Sequence, residues 1–154
     1  MSGVFQGSTD ATGLHVGVAA ARWNQTITDR LLEGAITRLE ELGADEVTVL
    51  RVPGALELPL ACRQLATNGC DAVVAIGAVV KGETDHYDIV VHESARGLTL
   101  ASLETGVPIT NAILAVHDYQ HAIDRAGKGA DNKGVEGVDA AIALATALRE
   151  LGST

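Results

Sequence analysis

Asp71-Ala-Val-Val-Ala-Ile-Gly77 is the stretch that decides the fold. Its uninterrupted run of small and β-branched apolar residues is typical of a strand buried on both faces of a parallel sheet. It passes into Gly77-Ala-Val-Val-Lys-Gly-Glu-Thr-Asp-His-Tyr-Asp88, after which a helical pattern runs from about residue 85 to 104. Ligands bind where a strand of such a sheet passes into a helix, because free backbone N–H groups and the helix dipole converge there. The sequence therefore predicts that the chemistry lies between Gly77 and Asp88.

Three further segments resemble this strand: His15–Ala21, Glu46–Val52 and Val107–Leu114. Helical patterns separate them and follow the last one, at about residues 26–42, 55–67, 119–126 and 135–151. Strands that alternate with helices predict an α/β fold with a parallel sheet covered on both faces. With right-handed crossovers the simplest strand order is 2-1-3-4, a flavodoxin-like three-layer sandwich.

The chain is predicted to form a single domain from residue 14 to 154. Residues 1–13 are small and polar, with Val4 and Phe5 as their only strong apolar anchors. Such a segment cannot form a core, so it is either a loose tail or an arm that adds to a neighbouring subunit's sheet.

Composition excludes several classes of function. The formal net charge is −9, which argues against a general nucleic-acid or membrane-surface binder, since both need a basic face. No apolar run approaches the ~20 residues of a membrane span, and no signal peptide precedes the domain, so a cytoplasmic location is expected. Aromatic residues make up only 3%, so the core must consist of Ala, Val, Leu and Ile.

Four loops should share one edge of the predicted sheet, because each follows the carboxyl end of a strand. They lie around Trp23 and at residues 53–57, 78–86 and 111–117. The Trp23 ring could stack on a planar heterocycle or wedge between helix and sheet. Glu57 could accept hydrogen bonds from ligand hydroxyls or lie on a solvated helix face. Thr84 could hold a phosphate or simply cap a helix, and His86 is either an acid/base or a structural histidine.

Motifs for other chemistries are missing. No Asp, Glu and His grouping has metal-ligand spacing, so no metal is predicted. There is no GxSxG nucleophile motif, and Cys62 and Cys70 are expected to be buried free thiols. The glycine-rich segment 127–134 lacks P-loop spacing, which makes a nucleotide site there a weak hypothesis.

Residues 77–88 resemble the signature of the lumazine synthase family, which catalyses the penultimate step of riboflavin biosynthesis. Other segments resemble that family's motifs in the same order: Ala21–Asn24, Val52–Pro59, Ala122–Gly127 and Asp131–Gly134. The resemblance implies a flavodoxin-like fold and a cofactor-free condensation. A ribitylamino-substituted aminopyrimidinedione reacts with 3,4-dihydroxy-2-butanone 4-phosphate to give 6,7-dimethyl-8-ribityllumazine.

The resemblance also implies a role for each matching residue. Trp23 would stack on the pyrimidine, and His86 would be the general acid/base. The other residues are implied to bind substrate: the ribityl chain through Ala55, Leu56 and Glu57, the heterocycle through Ala78, Val79 and Val80, the phosphate through Glu83, Thr84 and Arg125, and the ribityl side through Lys133. Asn111 stands where many members have a Phe that packs on the substrate. In this family the adjacent subunit supplies Arg125 and Lys133.

The expected partners follow from the same resemblance. Members form pentamers, and in some of them twelve pentamers close into a sixty-subunit shell; riboflavin synthase is a further expected partner. The short segment 127–134 and the absence of proline from the N-terminal arm favour the shell. Two alternatives remain at this point: a non-catalytic flavin- or lumazine-binding protein on the same scaffold, and a purely structural shell subunit.

Overall fold

The structure, a computed structural model, describes residues 2–152. Its centre is a four-stranded sheet with the order β2-β1-β3-β4, in which every neighbouring pair is parallel. The predicted α/β architecture and strand order are therefore confirmed. The strands are β1 His15–Ala21, β2 Glu46–Val52, β3 Ala72–Val80 and β4 Ile109–Val116.

Helices cover both faces of the sheet. They are α1 Gln25–Glu41, α2 Leu58–Thr67, α3 His86–Thr105, α4 Tyr119–Asp124 and α5 Lys133–Gly152, and a 3₁₀ turn, Ala55–Glu57, precedes α2. One core cluster joins the sheet to α1, α4 and α5, and a second joins it to α2 and α3. The small residues that the composition predicted allow close helix packing: a Cβ on Gly137 of α5 would lie 3.0 Å from the side chains of Ala112 and Val74.

β3 lies in the middle of the molecule and continues further than its sequence pattern predicted. Gly77 was expected to end this strand, yet Ala78–Val80 continue it, because they pair with Leu114, Ala115 and Val116 of β4. β4 likewise begins and ends two residues later than predicted, at Ile109 and Val116. The loop predicted at residues 78–86 therefore begins later than expected, because residues 78–80 are the end of a strand. Asn111, which the predicted strand Val107–Leu114 already contained, is the third residue of β4 and pairs with Ala75, so the loop predicted from residue 111 is wrong as far as Val116.

The N-terminal segment is partly attached to its own domain. The Ser8 N–H donates to the Thr146 hydroxyl of α5 at 2.9 Å, and the buried Ala11 donates to the Leu42 carbonyl. Residues 2–6 are exposed, with Val4 at 91% and Phe5 at 40%. Only this outer part of the predicted arm is unengaged.

Candidate active site

Trp23 lies at the carboxyl end of β1 with its ring largely exposed. Its N–H donates to the Pro53 carbonyl at 3.0 Å, so the ends of β1 and β2 are joined just above the sheet. A Cβ on Gly54 would lie 2.5 Å from the indole, so the ring edge rests directly on that backbone. The side chain is 64% exposed, which rules out the wedge between helix and sheet. An exposed, backbone-supported indole can stack on a planar ligand.

The 3₁₀ turn after β2 places the next candidates beside Trp23. The Glu57 N–H donates to the Gly54 carbonyl, which closes the turn. Ala55 is buried and Leu56 is half-exposed. Glu57 itself is exposed, and no hydrogen bond or ion pair involves its carboxylate in the part of the chain that the structure describes. A carboxylate in this state can accept hydrogen bonds from ligand hydroxyls.

The end of β3 forms the wall opposite Trp23. Pairing between β1 and β3 ends at Ala20 with Ile76, so β3 continues past its neighbour on that side. The Lys81 N–H donates to the Val116 carbonyl of β4. Because successive residues of a strand point their backbone groups to alternate sides, Ala78 and Val80 direct theirs toward the end of β1. This backbone edge can hydrogen-bond a heterocycle.

His86 is the first residue of α3. The segment 81–85 that leads to it is exposed, and the Thr84 hydroxyl accepts a weak hydrogen bond, 3.4 Å, from the His86 N–H. Glu83, Thr84 and His86 therefore lie at the N-terminus of a 20-residue helix, where unpaired N–H groups favour an anion. The arrangement brings a hydroxyl, an imidazole and a helix terminus to one place.

Arg125 and Lys133 lie in a separate cavity of about 650 Å³ on the outer side of β4. The Lys133 N–H donates to the Arg125 carbonyl at 2.9 Å, which holds the two residues together. Lys133 pairs with Glu136 at 3.3 Å, whereas the Arg125 guanidinium donates only to the His121 carbonyl in the described residues. The cavity is also lined by Tyr87, residues 113–117, His121 and Asp131.

The structure does not bring all of the predicted site residues together within one chain. Trp23 and Glu57 follow β1 and β2, whereas the cavity of Arg125 lies beyond β4 at the opposite end of the strand order. With strands about 4.8 Å apart, roughly 14 Å separate β2 from β4. Asn111 is exposed in the middle of β4, about 10 Å below the level of Ala78 along the strand. The candidates thus form two groups at two edges of the molecule.

Comparison with known proteins shows the family of this chain. A family model described as 6,7-dimethyl-8-ribityllumazine synthase matches residues 13–149. The chain is 46% identical over 140 residues to a protein of that name from Streptomyces avermitilis, with 90% of this chain and 87% of the relative covered. A Streptomyces coelicolor protein of the same name is 44% identical over the same coverage. The chain belongs to the 6,7-dimethyl-8-ribityllumazine synthase family.

Other cavities and reactive groups do not suggest a different chemistry for this lumazine synthase family member. A larger cavity of about 750 Å³ lies between α1, residues 126–132 and α5, away from every strand end. Both thiols are buried; burial raises the pKa of Cys62 to about 12 and also raises the pKa of Cys70, so neither is a ready nucleophile. Residues 2–152 contain no group of three or more His, Cys, Asp or Glu side chains that could bind a metal ion. They also contain no helix that is long and apolar enough to cross a membrane.

Sequence reasoning missed four residues of the two groups. Gly54 supports the Trp23 ring, and Asn24 bonds to the end of β3. His117 packs edge-on against Tyr87 with ring centroids 5.5 Å apart, and His121 lines the cavity of Arg125. No sequence pattern pointed to a role for the Asn24 side chain. His117, His121 and Arg125 follow one another at intervals of four residues, which would place them on one face of a helix. This spacing was the available signal for the two histidines, although His117 and Arg125 lie just outside α4.

Proposed function

We propose that the chain condenses 5-amino-6-(D-ribitylamino)uracil with 3,4-dihydroxy-2-butanone 4-phosphate to give 6,7-dimethyl-8-ribityllumazine. This would be the penultimate step of riboflavin biosynthesis. The observation that carries the proposal is the match to relatives with this activity in their name over 90% of the chain. The positions of Trp23, Glu57 and His86 around one sheet edge support it.

In the proposed mechanism the first group of residues binds and orients the pyrimidine. Trp23 stacks on the ring, the Ala78–Val80 edge of β3 hydrogen-bonds it, and Glu57 accepts from the ribityl hydroxyls, with Ala55 and Leu56 lining the same turn. Holding the two reactants in a reactive orientation lowers the activation barrier of such a condensation by a large amount. The 5-amino nitrogen then attacks the ketone carbonyl, and an imine forms as water leaves.

Proton transfer and phosphate loss involve the other residues. His86 is positioned to move protons during imine formation and elimination. Thr84, Glu83 and the α3 N-terminus would face the phosphate group, which leaves as inorganic phosphate when the neighbouring C–H proton is removed. Arg125 would stabilise the departing dianion through charge-assisted hydrogen bonds. Loss of phosphate leaves an enol at the carbon that bore the hydroxyl group, and this enol tautomerises to a new ketone as the terminal carbon becomes a methyl group. Attack of the ribityl-bearing nitrogen on this new ketone and loss of a second water close the second ring.

We further propose that two copies of the chain complete each site. The two groups lie at opposite edges of the sheet, so a ring of copies would place Arg125, Lys133 and Asn111 of one copy against Trp23 and His86 of the next. β2, an edge strand with Val49 and Leu50 exposed, offers free backbone groups to residues 2–6 of a neighbour's arm. A pentamer, or a shell of twelve pentamers, fits this proposal, and riboflavin synthase would consume its product.

The test is an absorbance assay for lumazine formation with both purified substrates. Omission of either substrate and the variant His86→Ala serve as controls. Formation of the lumazine only in the complete mixture is expected. Binding of lumazine or flavin without turnover would instead identify the non-catalytic alternative. A chain that forms a shell but neither binds nor reacts would identify the purely structural one.

A further inference from the structure

Asn24 has a backbone conformation that no other non-glycine residue adopts between residues 2 and 152. Its φ of 60° and ψ of 48° lie in the left-handed region. Most side chains disfavour this region, and Asn is among the few that tolerate it. Asn24 precedes α1, and its carbonyl accepts from the N–H groups of Ile27 and Thr28, as in an N-cap. Its side chain, however, makes no capping hydrogen bond.

The Asn24 side chain reaches across the sheet instead. Its amide nitrogen, Nδ2, donates to the Ala78 carbonyl at 2.7 Å, over 54 residues of sequence. Ala78 lies two residues beyond the point at which β1 stops pairing with β3. The amide therefore takes the place of the next ladder hydrogen bond on that side. It fixes the end of β3 where the strand has lost its neighbour.

The same residue controls where Trp23 lies. Trp23 immediately precedes Asn24, and its own N–H is bound to the Pro53 carbonyl. The left-handed turn at Asn24 directs the chain away from β2 and into α1 while the Trp23 ring stays on Gly54. One residue thus joins Trp23 to the backbone edge at Ala78–Val80, on the two sides of the proposed ring pocket.

We propose that Asn24 is a positioning residue that sets the gap between the Trp23 ring and the end of β3. The inference rests on the proposed function, because these two walls are where the pyrimidine is proposed to bind. A substitution of Asn24 should therefore weaken binding of the pyrimidine substrate alone. The residues proposed to bind phosphate lie in the segment 81–85 before α3 and in the cavity beyond β4, and the Asn24 side chain hydrogen-bonds to neither among the described residues.

Two substitutions separate the hydrogen bond from the backbone conformation. Asn24→Asp keeps the size of the side chain and also tolerates the left-handed region, but it brings a carboxylate oxygen to the Ala78 carbonyl in place of a donor. Asn24→Gly keeps the conformation and removes the side chain. Asn68→Asp is the control for the same chemical change, since Asn68 lies at the C-terminal end of α2, its side chain is exposed, and it bonds only to Gln64 in the described residues.

The experiment measures KM for each substrate and the quenching of intrinsic fluorescence by the pyrimidine substrate alone. Trp23 is the only tryptophan, so the fluorescence reports this wall directly. For Asn24→Asp and Asn24→Gly we expect the pyrimidine KM and dissociation constant to rise about threefold to tenfold, the effect of one lost hydrogen bond. The KM of the phosphorylated substrate should stay within about twofold of the parent value, because that substrate has its own contacts.

Equal rises in both KM values, or none in either, would overturn the inference, as would a similar change in Asn68→Asp. Thermal unfolding of each variant shows whether the fold survives. If Asn24→Asp unfolds, Asn24→Gly still tests the bond, because glycine adopts the same backbone without strain. Failure of the unsubstituted chain to form lumazine would reject the proposed function itself, whereas activity without a selective effect at Asn24 rejects only this inference.

Discussion

The strand-end group of Trp23, Glu57 and the end of β3 differs in kind from the cavity of Arg125 and Lys133. The first consists of an aromatic face and backbone edges, held by hydrogen bonds between strands. The second consists of long charged side chains just after α4 and in the first turn of α5. A flat heterocycle needs fixed walls, whereas a phosphate needs charge. We propose that the first group mainly holds the heterocycle and that Arg125 of the second group binds the phosphate, with Lys133 reaching the ribityl side.

His86, at the start of α3, gives the largest predicted effect. Replacement by alanine should lower kcat about a hundredfold or more, the usual contribution of a general acid/base, and leave both KM values within about threefold. Steady-state kinetics with each substrate varied checks this. His92→Ala is the matched control, since His92 lies further along the same helix. An unchanged kcat in His86→Ala would contradict the assigned role.

Arg125→Ala should separate the two groups most clearly. The phosphorylated substrate loses charge-assisted hydrogen bonds, so its KM should rise about tenfold to a hundredfold. The pyrimidine KM should change less than about twofold, because no pyrimidine contact is removed. Arg63→Ala removes the same charge from α2, where Arg63 pairs with Glu104, and should change neither KM. A rise in the pyrimidine KM alone would reverse the assignment.

How far the sequence predicts these two groups differs as well. Hydrophobic runs fixed β1 and β2 to the residue, since both are framed by polar or turn residues. The hydrophobic run alone ended β3 at Gly77, although this glycine lies within the strand near Leu58 and Ile113. The Asn24 bond to Ala78 was not predictable, because no periodicity reports a contact across 54 residues. The adjacency of Arg125 and Lys133 depends on a loop hydrogen bond that sequence patterns do not show.

Gly54→Ala tests whether the Trp23 ring position matters. Gly54 has φ −148°, which alanine adopts readily, but the added Cβ would lie 2.5 Å from the ring and must displace it. The pyrimidine KM should therefore rise about fivefold, in line with the loss of an aromatic contact, without a change in the phosphorylated substrate's KM. Gly152→Ala, where the Cβ meets nothing within 4 Å, is the control. Normal kinetics in Gly54→Ala would show that the ring position is unimportant.

His121→Ala should have the smallest effect, and it tests whether this histidine helps the cavity of Arg125 to bind phosphate. The cavity contains Arg125 and Lys133 but also Asp131 and Glu136, so these opposite charges offset each other. An imidazole N–H at residue 121 adds a donor for an incoming phosphate. Its loss should raise the phosphorylated substrate's KM about twofold to threefold, with inhibition by inorganic phosphate weakened equally. A larger change in the pyrimidine KM would place His121 with the other group.

The central claim is that the two groups come from two copies of the chain. His86→Ala and Arg125→Ala are co-expressed with different tags, and mixed oligomers carrying both tags are isolated. Activity is measured at a phosphorylated-substrate concentration far below the KM of Arg125→Ala, where each variant alone is expected to be nearly inactive. If each site draws on two copies, random mixing restores an intact pair at about one interface in four, so roughly a quarter of the parent activity should return. Mixed oligomers no more active than the two variants alone would contradict the claim and place both groups in sites within a single chain.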